Sequence, residues 1–340
     1  MNKLNRRSFL KLSALAGLGA AAGIAIAKRE TIESVLLHDG MYRVSVSRPA
    51  IGTHVDITAI GNGKMQTEDA VAAAFDHITR YENLFTRYDH KSPVCELNET
   101  GRIDHIDDDL FAMLQTCDAY HRDTNGAFDI TVKPCIDLFK ACADAGRKPT
   151  EAEIAQIVPR IGADKLRLSA NGLYIPEGMG ITLDGVAPGF IADRVAQLLQ
   201  NSGIHNYLVN AGGEIRTAGK PLNGQSWRIA IQDPSHQNNY PGFIALNEGA
   251  VSTSGNYEIF FGPDRMYHHI VNASTGKSPN TSVSVTVTAP TATQADILST
   301  ALFVMTPQQA LDYTAHHPEI ACLIIDSNGN QIASPNFKFA

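Results

Sequence analysis

An aspartate and a threonine four residues apart, Asp296 and Thr300, form the first pair in the sequence that could do chemistry. Residues at positions i and i+4 lie on one face of a helix, so their oxygens could meet one ion or one phosphate group. A carboxylate with a hydroxyl suits a hard cation such as Mg²⁺. In the alternative interpretation, Asp296 only complements the dipole of a first helical turn. The pair alone does not decide between the two.

Three glycine-containing segments follow strand-like sequence and are candidate ligand contacts. In the first, 183–190, Gly185 and Gly189 precede a predicted helix, where backbone amides can approach a phosphate closely. The second, 210–214, has paired glycines, which are typical either of close approach to a ligand or of a tight turn. The third, 252–257, offers three successive hydroxyls. Each signal is weak alone, and together they leave the ligand open.

Familiar catalytic motifs are absent from the sequence, which contains no GxSxG, HExxH or Walker A pattern. His268 and His269 are adjacent, so on a strand they point to opposite faces and do not form a joint metal site. One of them is expected to lie in the core or to line a ligand. Among the five cysteines, Cys135 and Cys142 could form a bridge, but buried free thiols are the favoured interpretation.

Composition limits the classes of function. With 340 residues and 44% hydrophobic residues, the chain can bury a large core. Its formal net charge of -7 argues against binding to nucleic acid. An acidic protein that binds a polyanion needs a metal ion, helix N-termini or backbone amides to hold that ligand.

The N-terminal segment is typical of an exported protein. Residues 5–11 read NRRSFLK, a twin-arginine signal, and an apolar run over 12–26 follows. An Ala-x-Ala cleavage site ends at Ala27. The sequence therefore predicts a signal peptide over 1–27, a mature domain over 28–340 and a periplasmic location. No membrane span is expected after cleavage, because the apolar run is short and rich in Gly and Ala.

Strands and helices are mixed along the chain without strict β-α-β alternation, so the sequence predicts a single α+β domain with mixed sheets and packed helices. A polar loop is predicted over 85–98, and Thr150 with Glu153 predicts a capping box. The main predicted helices cover 66–84, 107–125, 190–201, 294–305 and 307–316. The predicted strands cover 42–46, 54–60, 166–168, 172–175, 180–183, 206–209, 227–231, 242–246, 250–252, 257–261, 282–290 and 321–325.

The order of the motifs resembles the ApbE family of FAD:protein FMN transferases, over about 49–325. Residues 126–129 match its Gly-x-Phe-Asp, 252–255 its Thr-Ser-Gly, and 295–300 its Ala-Asp-x-x-x-Thr. The export signal and the sequence around 268–279 also resemble its NosX branch, tied to nitrous-oxide respiration. The complete set of similar segments is 51–53, 85–98, 126–129, 183–193, 210–214, 252–255, 269–276 and 295–300.

The resemblance implies a T-fold-related domain that binds FAD and Mg²⁺. Such enzymes transfer FMN to a Thr or Ser hydroxyl of an exported or membrane flavoprotein of an electron-transfer complex, and release AMP. It further implies that Asp296, Thr300 and the carbonyl of Gly185 ligate Mg²⁺. His269 is implied to lie near the transferred phosphate and is the candidate general base, with Asp296 as the alternative catalytic residue.

Contacts with FAD are also implied by the resemblance. Tyr88 is expected to stack on the isoalloxazine, and Ile51 and Ile270 to line the flavin pocket. The segment Ala127-Phe128-Asp129 is expected to hold the adenine or ribose region.

Several positions depart from the family pattern. Pro188 replaces the usual Lys and lacks both its charge and an N–H. Thr182 replaces an Asp, and Asp184 is expected to supply the carboxylate from the same face of a predicted strand. All three remain predicted FAD contacts. Ile51 replaces Met, and Asn272-Ala273 replaces Asp-Pro.

Two other functions stay open from the sequence. The departures at Pro188 and Asn272 would suit a non-catalytic FAD- or FMN-binding accessory protein. An FAD pyrophosphatase would use the same metal site, with water in place of the target hydroxyl.

Overall fold

The structure is a computed structural model that describes residues 30–37, 40–221, 224–235, 239–262 and 264–340. The predicted signal peptide over 1–27 lies outside these residues and stays a prediction. Among the described helices, none is both long enough and apolar enough to cross a bilayer.

The described chain alternates irregularly between helices and strands, as the sequence predicts for an α+β domain. The helices are α1 Lys64–Phe85, α2 Pro93–Thr100, α3 Asp108–Asp123, α4 Lys133–Asp144, α5 Glu151–Ile157, α6 Ala187–Asn201, α7 Ala292–Val304 and α8 Pro307–His316. The strands are β1 Thr31–Leu36, β2 Met41–Ala50, β3 Thr53–Asn62, β4 Arg102–Ile103, β5 Arg167–Ser169, β6 Gly172–Tyr174, β7 Asn206–Ala211, β8 Glu214–Ala218, β9 Trp227–Ala230, β10 Phe243–Leu246, β11 Gly249–Gly255, β12 Phe260–Phe261, β13 Tyr267–His268, β14 Ser282–Ala289, β15 Ala321–Asp326 and β16 Gln331–Ala333.

A nine-stranded sheet organises the domain, in the order β1-β2-β3-β7-β8-β11-β14-β15-β16. Its pairings are antiparallel. Because of this pairing, β3 begins, β7 ends, β8 begins, β11 ends and β14 begins at one common end. We call this the site end of the sheet.

Helices α1, α6 and α7 pack against the sheet around the main core. Helix α7 is buried on most sides, with Ile297, Leu298, Leu302 and Phe303 fully enclosed. A helix that is apolar all round is stable only when other elements surround it. A smaller apolar cluster, which includes Ile229 and Ile244, joins the β9–β10 hairpin to β11 and β15.

Local signals located most elements correctly, and the differences have physical causes. Residues 180–183 are not a strand, because Asn98 bonds both backbone groups of Ile181 in place of a neighbouring strand. The predicted loop over 85–98 contains the start of α2, with Ser92 as N-cap and Pro93 in the first turn. The hydroxyl-rich segment over 252–257 is a strand as far as Gly255.

Candidate functional site

The N-terminus of α7 is fixed by side chains that accept its free amides. Thr291 caps the helix by accepting from the amide of Gln294 at 3.2 Å. Asp193, on α6, accepts from the amides of Ala292 at 2.9 Å and Thr293 at 2.8 Å. A carboxylate at a helix N-terminus satisfies orphan donors and complements the dipole. This contact orients α7, and therefore Asp296 and Thr300, against α6.

Asp296 and Thr300 both face the glycine segment that leads into α6. The amide of Gly189 donates to Oδ2 of Asp296 at 3.0 Å. A Cβ atom on Gly185 would lie 3.0 Å from Oγ1 of Thr300. Gly189 therefore faces Asp296, and Gly185 faces Thr300. The acid and the hydroxyl lie on one face of the helix, as their spacing of four residues predicts. The backbone of Gly185, the hydroxyl of Thr300 and the carboxylate of Asp296 therefore lie close to one another.

The glycines serve packing as well as any ligand. A Cβ atom on Gly189 would lie 2.4 Å from the carbonyl oxygen of Ala292 and 2.8 Å from Cβ of Asp296. Only glycine permits this approach of α6 to α7.

The amides of the first turn of α6 are committed to partners within the protein. The amides of Val186 and Ala187 bond the carbonyl of Leu183, and that of Phe190 bonds Val186. Gly189 bonds Asp296, and Pro188 has no N–H. The expectation that this turn presents amides to a phosphate is therefore wrong for these positions.

A cluster of hydroxyls connects β11 to α7 behind Thr300. Ser254 Oγ lies 3.3 Å from Oγ1 of Thr300 and 2.7 Å from Oγ of Ser299. Ser252 Oγ lies 3.1 Å from Ser299 Oγ, and Ser299 donates to the carbonyl of Asp296 at 2.9 Å. These hydrogen bonds hold the Thr300 side chain in place, which explains why a hydroxyl-rich strand end accompanies the pair.

The centre of this neighbourhood is acidic. Desolvation raises the pKa of the buried Asp296 carboxyl well above its usual value, and the nearby charge of Glu214 raises it further. Desolvation also raises the pKa of Glu214, to about 7. Two carboxylates sharing a poorly solvated site favour a cation beside them. The donors are carboxylate, hydroxyl and carbonyl oxygens, so the residues present fit Mg²⁺.

Two hairpin tips lie beside this acidic centre at the site end of the sheet. Ile51 and Gly52 form the two-residue turn between β2 and β3, with φ of 49° and 74°. Gly212-Gly213 forms the equivalent turn between β7 and β8. A Cβ atom on Gly212 would lie 2.6 Å from Cγ2 of Thr53, so the tips touch. A β-branched residue at positive φ is strained, and such strain is concentrated at functional sites.

Tyr88 is 76% exposed, and the guanidinium of Arg87 lies 4.5 Å from the centre of its ring. Arg87 also donates to Oδ2 of Asp184 from Nε at 3.3 Å and from an Nη atom at 2.9 Å. Asp184 therefore ties the Tyr88 loop to the glycine segment. An exposed ring backed by a cation is available for stacking.

Thr182 and Asp184 do not share a face, contrary to the strand-based prediction. Thr182 is buried, and its amide bonds the carbonyl of Ile130. Asp184 is exposed and pairs with Arg87. The backbone turns after Leu183 instead of continuing as a strand, so the alternation rule does not apply. Asp184 therefore cannot supply a carboxylate at the buried position that Thr182 occupies.

The adjacent histidines have different environments, as predicted for neighbours on a strand. His268 is fully buried against Phe303, and its Nε2 bonds the carbonyl of Pro279 at 2.8 Å. His269 is half-buried, and its Nδ1 lies 3.1 Å from the carbonyl of Ile259. Since a carbonyl only accepts, Nδ1 of His269 carries the proton and Nε2 has the free lone pair. Desolvation lowers the pKa of His269. Ile270 is buried in the main core.

Asn272 organises its own loop. Its Oδ1 accepts from the amide of Ser274 at 3.0 Å, the hydroxyl of Ser274 at 2.7 Å and the amide of Thr275 at 3.3 Å. An Asn oxygen fills this turn role as an Asp would. Gly276 closes the loop with φ of 66°, where a Cβ would meet Val158 at 2.8 Å.

The segment Ala127-Phe128-Asp129 is fixed mainly by its own contacts. Phe128 is buried, and its ring lies 3.7 Å from where a Cβ of Gly185 would be. Asp129 accepts from the amide and hydroxyl of Thr131 at 2.7 Å and 2.5 Å, and from the amide of Ala163 at 3.1 Å. Its carboxylate is thus used within the protein, while Phe128 reaches the glycine segment.

Sequence reasoning missed three parts of this arrangement. Arg87 was not singled out, because its segment was predicted to be a polar loop. An Arg next to an aromatic residue is nevertheless a signal of a possible cation–π contact. Glu214 was noted only as the end of a glycine turn. Ser299 belongs to no motif, and its place between the two strand hydroxyls follows from tertiary packing alone.

By fold and site, the chain is an α+β protein with a buried acid and a hydroxyl at one end of an antiparallel sheet. A model of the ApbE family matches residues 51–324. The FAD:protein FMN transferase of Vibrio cholerae is 32% identical over 314 residues, 87% of this chain and 92% of that protein. The protein of the same name from Haemophilus influenzae is 28% identical over 313 residues, 87% and 90% of the two chains.

Solved structures agree. The ApbE protein of Thermotoga maritima has a TM-score of 0.79 at 29% identity, covering 87% of this chain and 98% of that one. The flavin transferase ApbE of Vibrio cholerae has a TM-score of 0.76 at 27% identity, covering 91% and 100%. The chain belongs to the ApbE family, which confirms the resemblance and the α+β fold.

Proposed function

We propose that this chain is an FAD:protein FMN transferase that requires Mg²⁺. It moves FMN from FAD to a Ser or Thr hydroxyl of a target flavoprotein and releases AMP. The observation that carries the proposal is the buried Asp296 beside Thr300 and Gly185, in a chain that is 32% identical over 314 residues to a relative with this name.

In the reaction, the target hydroxyl oxygen attacks the phosphorus of the FMN half of FAD. The new O–P bond forms as the bond to the bridging oxygen breaks, and that oxygen leaves with AMP. Nε2 of His269 takes the hydroxyl proton, since the Ile259 carbonyl holds the other nitrogen protonated. Asp296, Thr300 and the Gly185 carbonyl would hold Mg²⁺, which when bound neutralises charge on the phosphoryl oxygens.

The flavin half is proposed to lie against the exposed face of Tyr88, with Ile51 and Ile270 at the pocket. Arg87, which pairs with Asp184, offers a cation at the start of the glycine segment, whereas Pro188 in the same segment lacks the charge of the lysine that the family resemblance implies. This cation, together with the loop role of Asn272, supports catalysis over a purely flavin-binding accessory role.

The test is to incubate the purified protein with FAD, Mg²⁺ and a candidate target protein, and to quantify covalent flavin and AMP. We expect equimolar target-bound FMN and AMP, both abolished by EDTA. Yellow protein without AMP would instead identify an accessory binder. Free FMN and AMP in the absence of a target, with no covalent product in its presence, would identify a pyrophosphatase.

We also propose that the chain is exported by the twin-arginine route to the periplasm, on the basis of the NRRSFLK signal. Replacing Arg6 and Arg7 by lysine should retain the protein in the cytoplasm on cell fractionation. Unchanged periplasmic recovery would contradict this.

A further inference from the structure

A histidine, a cysteine and a glutamate meet at the start of α2. Cys95 and Glu99 are four residues apart and lie on one face of the helix. His90 precedes the helix and turns back onto that face, so its ring reaches Glu99. Among His, Cys, Asp and Glu side chains in the described parts of the chain, this is the one group of three with ligand atoms all within 4.8 Å of one another.

The distances are close to those of a metal site. His90 Nδ1 lies 2.6 Å from Glu99 Oε1, and Cys95 Sγ lies 3.7 Å from that oxygen and 4.0 Å from the ring nitrogen. Tetrahedral Zn²⁺, with bonds of about 2.0–2.3 Å, places neighbouring ligand atoms about 3.3–3.6 Å apart. Two of the three separations are therefore within about 0.4 Å of those values.

The remaining separation can adjust without disturbing the fold. The His90 and Glu99 side chains are 84% and 51% exposed, so a change of rotamer can open their 2.6 Å separation by the required distance of about 0.7–1.0 Å. Cys95 is the fixed member, with only 7% of its surface exposed. It sits in the first turn of α2, where Ser92 accepts a hydrogen bond from its amide at 3.0 Å. A buried sulfur with two exposed partners, whose rotamers can change, can close around an ion.

We propose that His90, Cys95 and Glu99 form a binding site for a borderline divalent cation, for which Zn²⁺ is the best match. Thiolate, imidazole and carboxylate together suit Zn²⁺, whereas Mg²⁺ and Ca²⁺ prefer oxygen donors. Three protein ligands leave a fourth position for water. On binding, the thiol proton passes to solvent, and neutral His90 would bind through Nδ1 with its one proton on Nε2. The site is separate from Asp296 and does not depend on the proposed transferase activity.

The site adjoins the loop that carries Tyr88. The Ser92 hydroxyl donates to the carbonyl of Thr86, and the Ser92 amide donates to the carbonyl of Asp89 at 2.9 Å. An ion held by His90 would therefore tie this loop to α2.

The test uses the full chain, stripped of metal by a chelator and then titrated with Co²⁺ and with Zn²⁺ against a chromophoric chelator. We expect a near-ultraviolet sulfur-to-cobalt absorption band that corresponds to one Co²⁺ at this site and that Zn²⁺ removes. Cys95→Ser should abolish the band. His90→Ala and Glu99→Gln, which alter exposed side chains, should each weaken Zn²⁺ binding at least tenfold.

Two control variants define specificity. His105→Ala removes another exposed histidine, and Asp296→Asn alters the other candidate metal position. Both should bind Zn²⁺ at this site as the parent does, and excess Mg²⁺ should not displace it. A parent protein with no cobalt–sulfur band, or a Cys95→Ser variant with unchanged Zn²⁺ affinity, would overturn the proposal.

Discussion

The amide of Gly189 donates to Oδ2 of Asp296 over 3.0 Å, and this bond joins the first turn of α6 to the first turns of α7. The acid thus has a structural partner on one oxygen. Its second oxygen is the one available to a cation, and Thr300 lies one helical turn further on, facing Gly185. One oxygen of Asp296 thus holds α6 against α7, and the other is free for the proposed cation.

Replacing Asp296 by Asn should separate these two roles. An amide oxygen can still accept from Gly189, so the fold should be retained, and removing a poorly solvated charge should not lower the free energy of unfolding. Flavin transfer should fall by at least about 100-fold, since charge stabilisation worth several kcal/mol is lost. Denaturant unfolding and AMP release measure the two effects. A variant of full activity would contradict the metal assignment.

The two glycines should respond differently to alanine. In Gly189→Ala, the new Cβ would lie 2.4 Å from the backbone oxygen of Ala292, so α6 and α7 must move apart. We expect a loss of about 1–3 kcal/mol in the free energy of unfolding.

Gly185→Ala is the matched comparison, because its Cβ would lie 3.0 Å from the Thr300 hydroxyl instead. This variant should unfold nearly as the parent does but have weaker Mg²⁺ activation. Equal destabilisation by both substitutions would show that the Gly185 contact is not specific to the site.

The pH profile should report on His269. Desolvation lowers its pKa from the ordinary 6.5, so the neutral, proton-accepting form prevails at pH 7. The transfer rate should rise with pH through a midpoint below 6.5 and then level off. His269→Gln should lower the plateau by about 100-fold or more and remove this limb. His105→Gln, at an exposed site, should keep the pH profile of the parent. If the rate of His269→Gln still rose with pH in the same range, a group other than His269 would be the cause.

His268 should make the free energy of unfolding sensitive to acid, whereas His269 affects the transfer rate. Burial lowers its pKa from 6.5 to about 4. The unfolded state therefore binds more protons between those values, so stability is complete above pH 6.5 and declines as pH falls towards 4. The loss should reach about 3 kcal/mol.

The acceptor responsible is Nδ1 of His268, which is buried and has no hydrogen-bond partner among the described residues. His268→Gln should reduce the difference between the unfolding free energies at pH 7 and pH 4 by about 3 kcal/mol, relative to a His105→Gln control. Parallel pH dependence in the parent and His268→Gln would refute this origin.

Local chemistry explains which elements the sequence predicts well. The Thr150–Glu153 capping box is present, and helix Pro307–His316 has the predicted bounds, because caps and first-turn prolines act within a few residues. Edge strands β1 and β16 were missed although each pairs with its neighbour in sequence, because β1 is mostly exposed and β16 has only three residues, so neither shows a clear apolar alternation.

The same division applies to the candidate site. The spacing of Asp296 and Thr300 is local, and the sequence placed both on one helix face. The Arg87–Asp184 pair spans 97 residues, and the contact of Ser254 with Ser299 spans 45. Such contacts arise from sheet order and helix packing, which single-residue patterns do not encode.

The β2–β3 tip at Ile51 and the α7 residue Thr300 are far apart in sequence, yet the tip lies at the site end of the sheet and Thr300 contacts Ser254 near the end of β11 at that same end. Sheets with such distant pairings close slowly, after the loop entropy between their strands has been overcome. The site end of the sheet is therefore assembled only in the complete fold, and no short fragment of the chain contains it. FAD would act as a stabiliser of the finished protein through mass action, and not as a template on which the chain begins to fold.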